Sequence, residues 1–286
     1  MDQKIIDLYD AYTHGAVGRR DFLDRLAQIA GGAAAAATLL GILQNDYAHA
    51  AVIPADDPRL ATEAAGYDVA GTKVGGTLVR LKGGAKRPAV IVIHENRGLN
   101  PHIQDVARRL AVDGFLALAV DALSPLGGTP ADEDKAREMI GTLDRVDTLA
   151  RVAGAVPLLA GHAESNGRVG AVGFCWGGAM ANRLAAAGTS LSASVAYYGM
   201  PLPAEEVPRI SAALLLHYAG LDERINAAVP PYEAALKAAG KAYELYTYPG
   251  ANHAFNNDTN AARYDKEAAD LAWGRTIAFL KKHLGV

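Results

Sequence analysis

A single cysteine, Cys175, is the only thiol in this chain of 286 residues. That scarcity excludes an intrachain disulfide framework and any thiolate cluster for zinc or iron–sulfur. No metal-binding spacing occurs among the eight histidines, so neither a metal nor a cofactor is expected. Basic excess is also missing: 28 Lys and Arg stand against 31 Asp and Glu, a formal charge of −3. Such a balance lacks the electrostatic footprint of a nucleic-acid binder, and no nucleic-acid partner is expected. Strongly apolar runs are scarce as well. The run from Ala27 to Leu43 is short and dominated by Ala and Gly rather than Leu, Ile and Phe, which excludes a stable membrane span. No internal repeat is present, and the alanine run is the one low-complexity tract.

Half of the residues are hydrophobic, enough for one large α/β domain with a proper core. Short apolar runs alternate with helical patterns from residue 63 onward. Glu63 to Val69 and Val74 to Leu81 read as strands joined by a turn from Gly71 to Gly76. Ala89 to His94, Phe115 to Val120, Arg168 to Phe174, Ala193 to Tyr198, Ala213 to Tyr218 and Ala242 to Tyr248 read as buried strands. Helices are expected at Pro101 to Asp113, Ala131 to Gly161, Gly178 to Ala187, Pro230 to Ala239 and Ala261 to His283. This alternation predicts an α/β fold, a mostly parallel twisted sheet with helices on both faces.

The first fifty residues have a different character. Arg19-Arg20, then Phe22-Leu23, the weakly apolar run and finally Ala48-His49-Ala50 resemble a twin-arginine export signal with a small-x-small cleavage site. The competing reading is an amphipathic N-terminal helix packed on the domain. The export reading divides the chain into a signal at 1–50, a linker at 51–62 and a domain at 63–286. It implies the twin-arginine export machinery as a partner, a mature chain starting near Ala51, and a periplasmic or secreted location. An unused signal would leave the protein cytoplasmic. A monomer or small homo-oligomer is expected.

Gly173-Phe174-Cys175-Trp176-Gly177 is the most informative stretch. A buried strand precedes it and an Ala/Leu-rich helix follows, so the thiol sits at a sharp strand-to-helix turn, the pattern of a nucleophile elbow with cysteine in place of serine. The following helix N-terminus offers unpaired N–H groups that favour a thiolate and a developing oxyanion. The bland alternative is a small buried apolar residue. Partners elsewhere favour chemistry. His94-Glu95-Asn96-Arg97 follows one strand, Asp222 another and His253 a third. Reactive groups gather at the C-terminal ends of strands in such sheets. Nucleophile, acid and histidine occur in the chain order used by α/β-hydrolases. His253 then acts as general base, Asp222 orients it, and the backbone N–H groups of Trp176 and Asn96 are the oxyanion donors. Glu95, beside a reactive thiol, is expected to have a raised pKa and to hold or take the cysteine proton. The alternative for Glu95 is pairing with Arg97. Arg97, Tyr198, Arg137 and Phe255 are candidate substrate-binding residues, with Trp176 also placed at the pocket.

Ile93-His94-Glu95-Asn96-Arg97-Gly98, Gly173-Phe174-Cys175-Trp176-Gly177-Gly178, Tyr197-Tyr198-Gly199, Gly220-Leu221-Asp222 and Gly250-Ala251-Asn252-His253-Ala254-Phe255 together resemble the dienelactone hydrolase family. The resemblance covers about Glu63 to Leu284. It implies an α/β-hydrolase fold, a Cys175–Asp222–His253 triad and an auxiliary glutamate at Glu95. It also implies hydrolysis of a small-molecule ester or lactone, with the family opening an enol lactone. Two departures bear on substrate. A family arginine one helical turn beyond the histidine is replaced by Asn257, and the second arginine corresponds to Arg137 or Arg145. Asparagine does not replace bidentate arginine recognition of a carboxylate. Two other classes compete: an exported binding protein that keeps the pocket without catalysis, and redox sensing through oxidation of Cys175.

Overall fold

The computed structural model describes residues 1–47 and 51–285. Three helices come first: α1 at Gln3–Thr13, α2 at Arg19–Ala30 and α3 at Ala33–Leu43. Gly31 (φ 80°) and Gly32 (φ 144°) turn the chain between α2 and α3, which bend by 112°. Both backbone conformations favour a residue without Cβ. Among the described residues no single helix is long and apolar enough to cross a membrane.

From Leu60 onward the chain alternates strands and helices as expected. It runs β1 (Leu60–Val69), β2 (Thr72–Leu81), β3 (Arg87–Ile93), α4 (Pro101–Val112), β4 (Leu116–Asp121), α5 (Glu133–Gly141), α6 (Arg145–Ala153) and α7 (Ala155–Ala160). It continues with β5 (Ser165–Phe174), α8 (Trp176–Ala185), β6 (Leu191–Tyr197), β7 (Ala213–Ala219), α9 (Glu223–Asn226), α10 (Val229–Ala238), β8 (Tyr243–Tyr248) and α11 (Lys266–Leu284). The eight strands form one sheet in the order β1-β2-β4-β3-β5-β6-β7-β8. β1, β2 and β4 pair antiparallel, and every pair from β4 through β8 is parallel. Every residue of β3 is buried, as a parallel strand covered on both faces requires. Two apolar clusters lie on opposite sides of the sheet. One is centred on Val90, Val92, Phe115, Val172 and Leu280, the other on Ile91, Leu118, Ala171, Leu184 and Leu216.

Three local details differ from the sequence expectation. The β1–β2 turn is only Ala70-Gly71, both at positive φ, with Val69 already opposite Thr72. That geometry matches the right-handed twist of the flanking strands. Gly75 and Gly76 belong to β2, where the close approach of the Ala119 carbonyl leaves no room for a Cβ at Gly76. The expected helical region from 131 to 161 is divided into three helices, because Asp144 caps α6 through its side chain and Gly154 separates α6 from α7. The C-terminal helix begins at Lys266, capped by Asp265, rather than at 261.

Candidate active site

Parallel strands carry the reactive groups to one edge of the sheet. Glu95 follows β3, Cys175 follows β5, Asp222 follows β7 and His253 follows β8. At the elbow Cys175 adopts φ 54° and ψ −113°, a conformation rare for a residue with a side chain. Neighbouring glycines let the turn pack so tightly. A Cβ on Gly178 would lie 2.6 Å from the Tyr197 carbonyl oxygen and 2.9 Å from Gly199 Cα, and neither backbone atom can swing aside. Gly178→Ala is therefore expected to destabilise the fold by about 1–3 kcal/mol, read as a lower urea midpoint at unchanged m-value. Trp176 is the first residue of α8, so its backbone N–H has no intrahelical acceptor and is free for an oxyanion.

His253 Nδ1 lies 2.5 Å from Asp222 Oδ2, both side chains being almost fully buried. A carboxylate accepts from this nitrogen, so Nδ1 carries the hydrogen and Nε2 is left for the sulfur. That Nε2 is buried without another hydrogen-bond partner. Asp222 also caps α9 by accepting from the Ile225 N–H at 3.2 Å, which anchors its other oxygen. Burial opposes ionisation of Asp222, but the neighbouring His253 prevails and lowers its pKa. Burial likewise opposes the charged form of His253, yet Cys175, Asp10 and Asp222 around it raise its pKa well above normal. For Cys175 burial pushes the thiol up, and His253 and His14 overcome this to bring it down to about 6. All three shifts favour the charged forms of these groups over the neutral ones.

The second imidazole was not anticipated. His14, at the C-terminal end of α1, places Nε2 3.3 Å from Cys175 Sγ. Its Nδ1 donates to the Asp10 carbonyl at 2.8 Å, with the Asp10 carboxylate 3.3 Å away. Burial lowers its basicity, but Cys175 and Asp10 raise its pKa overall. The contact joins residues 161 positions apart. No local motif around His14 signals it.

His14 arrives there because the three N-terminal helices cap the site. They have their own core of Ile5, Tyr9, Tyr12, Phe22, Leu26, Ala36 and Leu43. Polar contacts hold the cap to the domain. Gln3 donates to Asn252 (2.6 Å), Asn96 Nδ2 to the Thr13 carbonyl (2.8 Å), Tyr12 to Asp134 (2.7 Å) and Asp46 N–H to the Thr259 carbonyl (2.8 Å). Arg19 of the twin-arginine pair forms an ion pair with Asp134. The proposed cleavage residues Ala48, His49 and Ala50 lie outside the described residues.

A cavity of about 600 Å³ opens over the sulfur, lined by His14, Asn96, Arg137, Cys175, Tyr198 and His253 among others. Arg145 and Arg224 also reach it, so three arginines surround the mouth. Several expectations are corrected here. Arg97 does not serve the cavity: its guanidinium pairs with Glu133 and donates to the Tyr9 hydroxyl at 2.8 Å, tying the cap down. Phe255 is fully buried in an aromatic core with Tyr197, Tyr198 and Tyr248. Arg137 lines the mouth but donates to the Tyr12 carbonyl at 2.5 Å and lies over the Tyr12 ring. Glu95 is not paired with Arg97; it accepts from Asn257 Nδ2 at 2.9 Å and from the Tyr198 hydroxyl at 3.4 Å. The group within hydrogen-bond distance of the sulfur is His14 rather than Glu95. Asn257, where an arginine was looked for, holds this glutamate instead.

These features agree with known proteins. A model of the dienelactone hydrolase family matches residues 75–284, and a YqhI-like family model matches residues 1–32. A "Putative carboxymethylenebutenolidase" of Saccharolobus solfataricus is 31% identical over 76% of this chain and 96% of its own length. A "Probable 2-oxo-3-(5-oxofuran-2-ylidene)propanoate lactonase" of Bradyrhizobium sp is 35% identical over 69% of this chain and 84% of its own. Among solved structures, a "Putative Dienelactone Hydrolase" from Klebsiella pneumoniae superposes with a TM-score of 0.69 at 28% identity, covering 78% of this chain and 99% of that one. With an elbow cysteine, an eight-stranded mixed sheet and relatives matched along nearly their whole length, the chain belongs to the dienelactone hydrolase family.

Proposed function

We propose that the protein hydrolyses carboxylic esters or lactones through Cys175, His253 and Asp222. The observation that carries this reading is the His253–Asp222 pair, whose free imidazole nitrogen faces a thiol at a strained elbow. In the first half-reaction the Cys175 thiolate attacks the carbonyl carbon and a C–S bond forms. The tetrahedral oxyanion points at the Trp176 and Asn96 backbone N–H groups. Collapse breaks the C–O bond, and protonated His253 gives its proton to the leaving oxygen. In the second half, His253 takes a proton from water, which attacks the thioester and expels the thiolate. A thiolate is itself a good leaving group, so activated esters and enol lactones suit this site better than amides. His14 assists by holding the charge on sulfur. Arg145 and Arg224 at the mouth favour a substrate carrying a carboxylate, while Arg137 is committed to Tyr12. The names of the lactone-cleaving relatives support the same class.

Mixing the enzyme with excess aryl ester and quenching in acid should show an acyl adduct on Cys175 by intact mass and peptide mapping. An adduct absent under conditions of measurable turnover would defeat the thioester route. Asp222→Ala is expected to lower kcat by about 10²–10⁴-fold while the acyl site remains Cys175. The binding-protein alternative predicts no turnover of any ester.

Two readings of residues 1–50 lead to different proteins. A removed leader places a chain starting near Ala51 in the periplasm; a retained cap keeps His14 at the sulfur. The His14–Cys175 contact and the YqhI-like match support retention. Intact mass of the protein from separated cell fractions distinguishes them, since periplasmic protein beginning near Ala51 would restore the export reading.

A further inference from the structure

His14, Cys175 and His253 each present one donor atom, and these three atoms lie within 4.8 Å of one another. We propose that they form a binding site for a zinc-class divalent cation, assembled only when the N-terminal cap is docked, and that its occupancy reversibly blocks the thiol. The inference stands whether or not Cys175 is acylated during turnover.

Three features of the geometry fit such an ion. Tetrahedral Zn²⁺ with Zn–N of about 2.0–2.1 Å and Zn–S of about 2.3 Å places its donors about 3.3–3.6 Å apart. The His14 Nε2–Cys175 Sγ separation is 3.3 Å, close to the N–S value of about 3.5–3.6 Å, and all three donor atoms lie within 4.8 Å of one another. Second, both histidines carry the outer partners typical of metal ligands. His14 Nδ1 donates to the Asp10 carbonyl beside the Asp10 carboxylate, and His253 Nδ1 donates to Asp222. Each bond keeps a hydrogen on Nδ1, so that loss of the other proton leaves Nε2 as the donor atom. Third, His253 Nε2 is an orphan: the residue is 5% exposed and the atom has no hydrogen-bond partner.

Charge and access agree with the geometry. The carboxylates of Asp10 and Asp222 flank the position, with the Arg263 and Arg224 guanidinium groups 3.6 and 3.9 Å from Asp10 and the buried Arg263 lining a small cavity with the three ligands. Three protein ligands leave one coordination position open toward the cavity of about 600 Å³. Binding replaces the proton shared by sulfur and imidazole, and the proton leaves to solvent. With sulfur and base both coordinated, neither attack nor proton transfer is available.

The test is a Co²⁺ titration of full-length, reduced, chelator-treated protein. One equivalent should bind with a thiolate-to-cobalt absorption band, and Zn²⁺ should displace it. Cys175→Ser should abolish the band. His14→Ala, checked for folding by circular dichroism, should weaken binding by about 100-fold, since removing even outer partners costs 10–100-fold. Hydrolysis by wild-type protein should fall with Zn²⁺ and return with chelator. Absence of the band, or equal affinity in wild type and His14→Ala, overturns the proposal. Failure of the acylation reading is separate, because it would appear in chelated, metal-free enzyme as turnover without a Cys175 adduct.

Discussion

Cys175→Ala is expected to lower kcat/KM for an activated aryl ester by about 10⁴-fold or more, equivalent to about 5.5 kcal/mol of lost transition-state stabilisation. The argument is local. The elbow holds the sulfur at φ 54°, between two imidazoles, at the start of α8. Alanine keeps the strained backbone and the proposed oxyanion donors but removes the sulfur that the proposal assigns to the covalent bond. Residual activity would come from water activated by His253, with substrate still bound at the mouth. Structural damage should be slight, because among the described residues the sulfur hydrogen-bonds within the site, to His14, and the substitution keeps a Cβ. Steady-state kinetics on matched, chelator-treated preparations, with circular dichroism and a urea curve for each, measure this. Turnover at the wild-type level in Cys175→Ala would remove sulfur from the mechanism.

A chain beginning at Ala51 is expected to fold yet lose about 10²-fold in kcat/KM. Folding should survive because both apolar clusters of the sheet are built from residues of the domain itself, while the cap keeps its own core. The joint between them is polar: Asn96 to Thr13, Arg97 to Tyr9, Arg137 to Tyr12 and Arg263 to Asp10. Removing the cap takes His14 from the sulfur and one wall from the cavity. The loss of a positioned charge partner and of water exclusion accounts for the expected magnitude. His14→Ala in the full chain should show a smaller part of the same loss. If instead the shortened chain is as active as the full one, the cap is dispensable and the export reading of residues 1–50 gains its strongest support.

Much of this was legible in the one-dimensional pattern. The eight strands, the parallel stacking and the elbow follow from short apolar runs punctuated by Gly and Pro, signals that act over a few residues. The positions of Cys175, Asp222 and His253 at strand ends were equally readable, because a parallel sheet sends the C-terminal ends of its strands to one side. Errors occurred where distant groups compete for one side chain. Arg97 looked free beside Glu95, yet Glu133 and Tyr9 claim it. For Phe255 the sequence left pocket and core both open, and the fold places it in an aromatic core.

By itself, then, the order of residues determined the architecture and the family, and it put Cys175, Asp222 and His253 forward as the proposed nucleophile, acid and base, since each reading depends on backbone periodicity and on chemistry that belongs to a residue type. Only the tertiary structure decided what surrounds the sulfur. Residues 3–43 carry twin arginines and an alanine run, and in the structure they form three helices with a core of their own that sit over the sulfur. His14 meets Cys175 across 161 residues, and Asn257 meets Glu95 across 162. Contacts of that separation leave no trace in local propensity or spacing, because they are set by how whole elements dock.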